Sequence, residues 1–237
     1  MTPHQQKCAS LYYKSEDLKK ALQGQTKNIL KDSNSWLKLN EFIEINKKLL
    51  LIDLDYALEK KSEVDLWNVA FKEVINGLQN EASSSKLSIL DKSKRNEAQT
   101  SLSWFLDFAS GFYVLLLQEI CVAYDLDLPF LRSAGFYGVA SDLESKDAGT
   151  NEVKKCENVS SINYICTHCL VHMGDIARYK GLIKQAESFY KHSLTVAPSS
   201  GHAYNQLALV EVSKGCNLSA VFFYIRALAL KCPFPGM

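Results

Sequence analysis

The sequence lacks a long hydrophobic run: its most apolar stretch, residues 112–117, is broken at once by Gln118 and Glu119, far short of a bilayer span. It lacks an excess of charge of either sign, with 27 Lys and Arg against 26 Asp and Glu. No global field therefore selects nucleic acid or an anionic membrane as the main partner, and a local basic pocket remains open. Residues 5–7, Gln-Gln-Lys, do not form the apolar block of a secretory signal. The expectation is an intracellular protein, cytoplasmic and able to shuttle to the nucleus. The seven cysteines are odd in number and scattered through helical patterns, which fits reduced thiols better than a disulfide framework. The sequons at Asn158 and Asn217 are then expected to be unused.

Alternating β-branched segments are absent, so no strand is expected. There is no glycine-rich phosphate loop, no nucleophile-elbow serine and no HExxH string. The histidines, His4, His168, His172, His192 and His202, fall in no acid–base arrangement. Asp53, Asp55 and Glu59 read as a solvated helix face. Cys166-Thr-His-Cys169, with His172 and Cys156 nearby, has thiol and imidazole donors. One CxxC on a helix does not supply four convergent ligands, so these cysteines read as small apolar packing residues. No catalytic residue, metal ligand or cofactor is expected, and the chain reads as a non-enzyme.

What is present is helix. Apolar residues recur three to four apart from Trp36 through Leu39, Ile43, Leu50 and Leu54 to Leu58, predicting one long amphipathic helix over 35–60. A break at 61–63 leads to a second helix with Leu66, Trp67, Ala70, Phe71, Val74, Ile75 and Leu78. The serine-rich run 81–95 reads as a loop, and Asn96 with Gln99 as a capping box. A third helix then carries Leu102, Phe105, Leu106, Ala109, Tyr113, Leu116 and Ile120 on one face, ending before Pro129. Residues 133–161 are polar and aperiodic, predicting a flexible loop.

Residues 170–233 repeat with a 34-residue period: Gly174 matches Ala208, Ala186 matches Ala220, Tyr190 matches Tyr224, and Leu194 matches Leu228. Pro198 falls opposite Cys232, beside Pro233. Small, small, aromatic, small, proline is the tetratricopeptide pattern of two packed antiparallel helices. The predicted repeat helices are 162–180, 183–197, 201–214 and 218–230. Their concave face would carry His168, Val171, Asp175, Arg178 and Tyr179, then His202, Asn205 and Leu209. Arg178 beside Asn205 suits an anionic group; equally, Arg178 can pair with Asp175 one turn earlier. Ending just after the second repeat would leave Phe222, Phe223 and Leu230 partly uncovered, so a longer protein is expected.

Several strings carry a resemblance: DYALEKKSEVDLWNVAFK at 55–72, CLVHMGDIARYKGLIKQAES at 169–188, YNQLALVEVSKG from Tyr204 and FFYIRALALKCPFP from Phe222. In this order they resemble the N-terminal region of the SMG family of nonsense-mediated mRNA decay adaptors. The resemblance implies an all-α, antiparallel helical array, 14-3-3-like, with tetratricopeptide-type helix pairs. On that basis, 1–237 is the N-terminal part of one such domain. Helical hairpins would occupy about 35–126, the loop about 133–161 and the repeats about 162–233.

The resemblance also implies a site. Ala70-Phe71-Lys72 resembles the Ala-Tyr-Lys string of phosphoserine-binding 14-3-3 proteins, and 174–179, GDIARY, matches their Gly-Asp-x-x-Arg-Tyr. Lys72, Arg178 and Tyr179 would hold the phosphate of a phosphoserine or phosphothreonine, and Asn205 the backbone of the bound peptide. Gln79 stands where those proteins carry another arginine, so weaker phosphate binding is expected. Lys60, Lys61 and Lys180 are the cations that could compensate. The implied partners are the phosphorylated up-frameshift RNA helicase, a sister SMG protein (SMG-five) as heterodimer partner, and decay factors recruited through a region absent here. The alternatives are a telomerase- or telomere-associated nucleic-acid-binding factor of the same family, and a phosphate-independent repeat scaffold.

Overall fold

The computed structural model describes residues 2–24, 29–83, 89–124, 126, 128 and 158–230. Regular structure among them is helical, with no strand. The helices are α1 (Pro3–Leu22), α2 (Ser33–Ile52), α3 (Leu54–Glu59), α4 (Ser62–Asp65), a π-helix (Leu66–Lys72), α5 (Glu73–Ser83), α6 (Ile89–Ala123), α7 (Val159–Tyr179), α8 (Ile183–Val196), α9 (Gly201–Ser213) and α10 (Asn217–Ala229). Two compact units divide the chain. The first is Met1–Tyr113 with Asp175–Leu182; the second is Val114–Gly174 with Ile183–Met237.

In the first unit α1 packs along α2. Helix α1 starts on a capping box between Thr2 and Gln5, with Pro3 in its first turn. A buried amide ties the pair together: Asn46 donates to Ser15 Oγ and to the Phe42 carbonyl, both at 2.8 Å. The single helix expected over 35–60 is two. Asp53 leaves helical geometry (φ −148°, ψ 91°), ending α2, and its carboxylate accepts from Tyr56 N–H at 3.0 Å to start α3. The apolar spacing continues through this joint, which is why periodicity alone does not reveal it. Asp53 is thus a capping residue and not part of a solvated face.

The core of this unit is aromatic. Phe71 is fully buried. Its ring lies 6.4 Å from Trp67, 6.2 Å from Phe105, 6.3 Å from Phe108, 5.2 Å from Phe112 and 5.3 Å from Tyr113. Helix α6 supplies most of these rings. It begins earlier than expected, and Asn96 lies inside it, its carbonyl accepting from Thr100 Oγ1 at 3.0 Å, so it caps nothing. Residues 81–83 and 89–95 are helical, not loop; 84–88 lie outside the described residues. An 18-residue window of α6 averages 1.5 in hydropathy, long and apolar enough for a membrane span, which corrects the reading from its short apolar run. Its apolar residues Phe105, Leu106, Ala109, Tyr113, Leu116 and Ile120 are instead buried in the protein.

The second unit holds the repeat helices except the end of α7 from Asp175, and each starts within three residues of its expected position. Val159–Ser161, read as loop, already belong to α7, and residues 133–157 of that loop lie outside the described residues. Tyr190 is fully buried against Gly174, and Ala186, Ala208, Ala220 and Ala227 are 3% exposed or less. Helices α7 and α9 end on the same device 34 residues apart. Gly181 and Gly215 adopt φ +77° and +76°, and the next residue's N–H returns to the carbonyls of Ala177 and Glu211 at 2.9 Å. Only glycine takes that left-handed conformation without strain, so it closes each turn. On the outer face of α10, Leu218, Val221, Phe222, Ile225 and Leu228 are exposed.

Candidate phosphate-binding residues

Lys72 is the last residue of the π-helix, whose register shows in the Glu73 N–H bonding five residues back to the Asn68 carbonyl. The buried residues come in pairs exactly four apart: Leu66 and Trp67, Ala70 and Phe71, Val74 and Ile75. In a helix of 3.6 residues per turn, four residues overshoot a full turn by about 40°, so such pairs drift off the core. Widening the helix to i→i+5 bonds reduces the drift and keeps all three pairs inward. Lys72, next to the anchored Phe71, is left exposed, and no carboxylate among the described residues pairs with it.

Arg178 and Tyr179 close α7, where an arginine also suits the helix C-terminus. Arg178 Nη2 lies 3.6 Å from Asp175 Oδ1, and its guanidinium sits 4.9 Å from the centre of the Tyr179 ring. Asp175 is buried while Arg178 keeps about a quarter of its side chain exposed, at 26%. The pairing with Asp175 is therefore present, and it leaves the arginine accessible. Burial pushes the Tyr179 phenol up, Asp175 adds to the rise, and Arg178 opposes it, so the hydroxyl keeps its proton for donation.

Residues 175–182 cluster with the first unit, which also contains Lys72. An ion pair ties this segment to α6: Lys180 Nζ meets Asp107 Oδ1 at 2.7 Å. Asp107 neighbours Phe108, whose ring packs on Phe71. The segments carrying Lys72 and Arg178 thus both rest on the same part of α6. Asn205 lies in the second unit and is 5% exposed; Val171 and Asp175 are buried too, so these positions do not line an open groove as expected. Among the possible substitutes for the cation missing at Gln79, Lys180 is engaged by Asp107, and Lys60 pairs with Glu59 at 3.1 Å over the rings of Tyr12 and Tyr56. Lys61 adopts the left-handed φ of 59°.

Cys166 and Cys169 are buried. A hydrogen bond to Cys121, then burial, pushes the Cys166 thiol up, and burial does the same to Cys169, so both are held protonated.

The family model described as Telomerase activating protein Est1 matches residues 61–184, more than half of the chain. The chain belongs to this Est1 family. A second model, the Est1 DNA/RNA binding domain, matches residues 186–236. Within the family the chain lies close to the SMG decay factors. It is 42% identical over 97% of its length to nonsense-mediated mRNA decay factor SMG7 of Danio rerio, covering 18% of that protein. It is 27% identical to SMG7 of Arabidopsis thaliana, covering 79% of this chain and 19% of that protein. To SMG5 of Danio rerio it is 28% identical, covering 89% and 18%. The chain therefore spans less than a fifth of the length of these relatives. The solved structure of the C. elegans SMG5-SMG7 complex has the same fold: TM-score 0.58 at 20% identity, over 92% of this chain and 50% of that one. The all-α, 14-3-3-like helical array with tetratricopeptide-type pairs is the fold of this Est1-family chain.

Proposed function

We propose that this Est1-family chain is the phosphoserine- or phosphothreonine-reading part of a nonsense-mediated mRNA decay adaptor, docking the phosphorylated up-frameshift RNA helicase. Lys72 and Arg178 carry the phosphate oxygens and Tyr179 donates its hydroxyl. Recognition makes and breaks no bond, so the role is that of a non-catalytic adaptor in the cytoplasm with access to the nucleus. The observation that supports this most directly is the inclusion of 175–182 with Lys72 in one compact unit, both segments seated on α6. A phosphate brings nearly two charges and three acceptor oxygens, matched by an exposed ammonium, a fork-shaped guanidinium and a protonated phenol. A sister SMG protein as heterodimer partner belongs to the same reading, whereas the buried Asn205 is left out of it. The curated relatives include SMG5, and the matching structure is a SMG5-SMG7 complex.

Fluorescence polarisation with paired phosphorylated and unphosphorylated helicase peptides tests it. The phosphorylated peptide should bind at least tenfold tighter. Lys72→Ala should remove about 1.5–3 kcal/mol of charge-assisted bonding, roughly a ten- to hundredfold weakening. Arg178→Lys keeps a cation beside the buried Asp175 and should still weaken binding by losing the bidentate fork. Equal affinity for both peptides ends the phosphate-reader reading and leaves a phosphate-independent scaffold.

The match to a DNA/RNA binding domain favours nucleic acid as a second reading for 186–236. That stretch holds four cations against two carboxylates. Lys191 and Lys214 are both engaged by Glu187, at 2.6 and 2.5 Å, and Arg226 lies 5.0 Å from the Tyr204 ring centre. Phosphate-backbone binding would need those cations released. A steep fall of RNA or single-stranded DNA affinity with salt would favour this reading.

A further inference from the structure

Beyond the phosphate-reading residues, the donors of His4, Cys8 and Asp53 converge, every pair of ligand atoms lying within 4.8 Å. His4 and Cys8 are one turn apart on α1, hence on one face of it. Asp53 stands at the α2–α3 joint, 49 residues from His4. His4 Nε2 is 3.1 Å from Asp53 Oδ2 and 3.8 Å from Cys8 Sγ. Bonds of about 2.0–2.1 Å to nitrogen and oxygen and about 2.3 Å to sulfur give tetrahedral edges of about 3.3 Å for N···O and about 3.6 Å for N···S. The observed separations fall within about 0.2 Å of both.

We propose that His4, Cys8 and Asp53 form a zinc site clasping the start of α1 to the α2–α3 joint. The donor set selects the metal. An imidazole, a thiolate and a carboxylate suit a borderline-soft cation and not calcium or magnesium, which take oxygen alone. Thiolate and carboxylate together neutralise a divalent ion, so the filled site carries no net charge beside the buried Cys8. The outer contacts are in place as well. Asp53 Oδ1 accepts from Tyr56 N–H at 3.0 Å, which fixes the carboxylate and turns Oδ2 toward His4. The capping box at Thr2 and Gln5 fixes the helical turn that carries His4. His4 is half exposed, with 54% of its side chain accessible, and Asp53 is partly so at 29%, giving the ion a path in and leaving its fourth position to water. In the sequence, His4 and Cys8 stand alone near the N-terminus, and the third ligand is found only by folding.

The test is cobalt(II) titration of the untagged chain, followed by zinc competition. The expected result is one equivalent bound, with a near-ultraviolet thiolate-to-cobalt charge-transfer band and the strong visible bands of four-coordinate cobalt, both abolished by zinc. His4→Ala removes a half-exposed ligand and should weaken binding at least tenfold, with helicity by circular dichroism unchanged; Cys8→Ser should remove the charge-transfer band. Zinc should raise the melting temperature of the unaltered chain and not that of His4→Ala. Absence of the charge-transfer band overturns the proposal. So does a band that survives His4→Ala and disappears in Cys166→Ser, which would move the metal to the other cysteine pair.

Discussion

Replacing Phe71 by alanine should destabilise the first unit by about 3–5 kcal/mol, read from the denaturant midpoint by tryptophan fluorescence, since Trp36, Trp67 and Trp104 all lie in that unit. The ring is fully buried and meets five other aromatic rings, the nearest at 5.2 and 5.3 Å. Alanine would lose both the apolar area and the stacked and tilted ring contacts, each worth about 0.5–1.5 kcal/mol. It would also open a cavity between the π-helix and α6, two elements too constrained to close it. Total stabilities of domains are about 5–15 kcal/mol, so the loss is a large part of the whole. Phe71→Leu fills most of the volume and should cost less than half as much. Because Phe71 anchors the turn that presents Lys72, Phe71→Leu should also weaken phosphopeptide binding while leaving the charges intact. An unchanged midpoint for Phe71→Ala would mean the aromatic cluster does not carry this core.

The helices of the second unit were legible because their signal is repeated. Gly174, Ala186 and Tyr190 recur 34 residues later as Ala208, Ala220 and Tyr224, and the turn glycines Gly181 and Gly215 follow the same period. A chance pattern does not repeat its caps. The N-terminal half offers each element once, and there local rules misled. Asp53 breaks a helix whose apolar spacing continues across it, since Leu54 and Ala57 remain in phase with Leu50. Residues 91–95, all polar, are helical because they lie near the start of a long helix whose main apolar part lies further on, so composition reads as loop where propagation from a packed segment gives helix. Helix α1 carries little periodic signal because its buried residues are few: Cys8, Ser15 and Leu22.

The candidate site was legible only in part, for a related reason. Arg178 and Tyr179 sit on a repeat helix whose inner face could be counted, yet counting predicts exposure at Val171, Asp175 and Asn205, all of them buried. Periodicity tells which residues share a face, and not how much of that face another element covers. The pair Arg178–Asp175 shows both sides of the ambiguity at once: the ion pair exists, and the arginine remains accessible. Lys72 could be placed by motif but not by geometry, because a π-helix shifts its direction relative to an α-helix of the same sequence.

Gly174→Ala should destabilise the second unit by about 1–3 kcal/mol, although the same change in an open helix would stabilise it by about 0.8–1.0 kcal/mol. The sign is set by Tyr190. A Cβ built on Gly174 would lie 2.6 Å from Tyr190 Cδ1 and 2.7 Å from its Cζ, well inside van der Waals contact. The ring cannot swing aside, because it is itself fully buried. Either α7 and α8 separate, or the ring leaves its rotamer, and both cost more than the gain in helix propensity. A double-mutant cycle isolates the contact. Tyr190→Leu alone loses buried area, but in its presence Gly174→Ala should lose most of its penalty, giving a coupling of at least about 1 kcal/mol. Thermal or denaturant melts of the four proteins supply the numbers. A Gly174→Ala protein as stable as the parent would show that α7 and α8 do not approach through this glycine, and that the small residue of the 34-residue repeat is there for another reason.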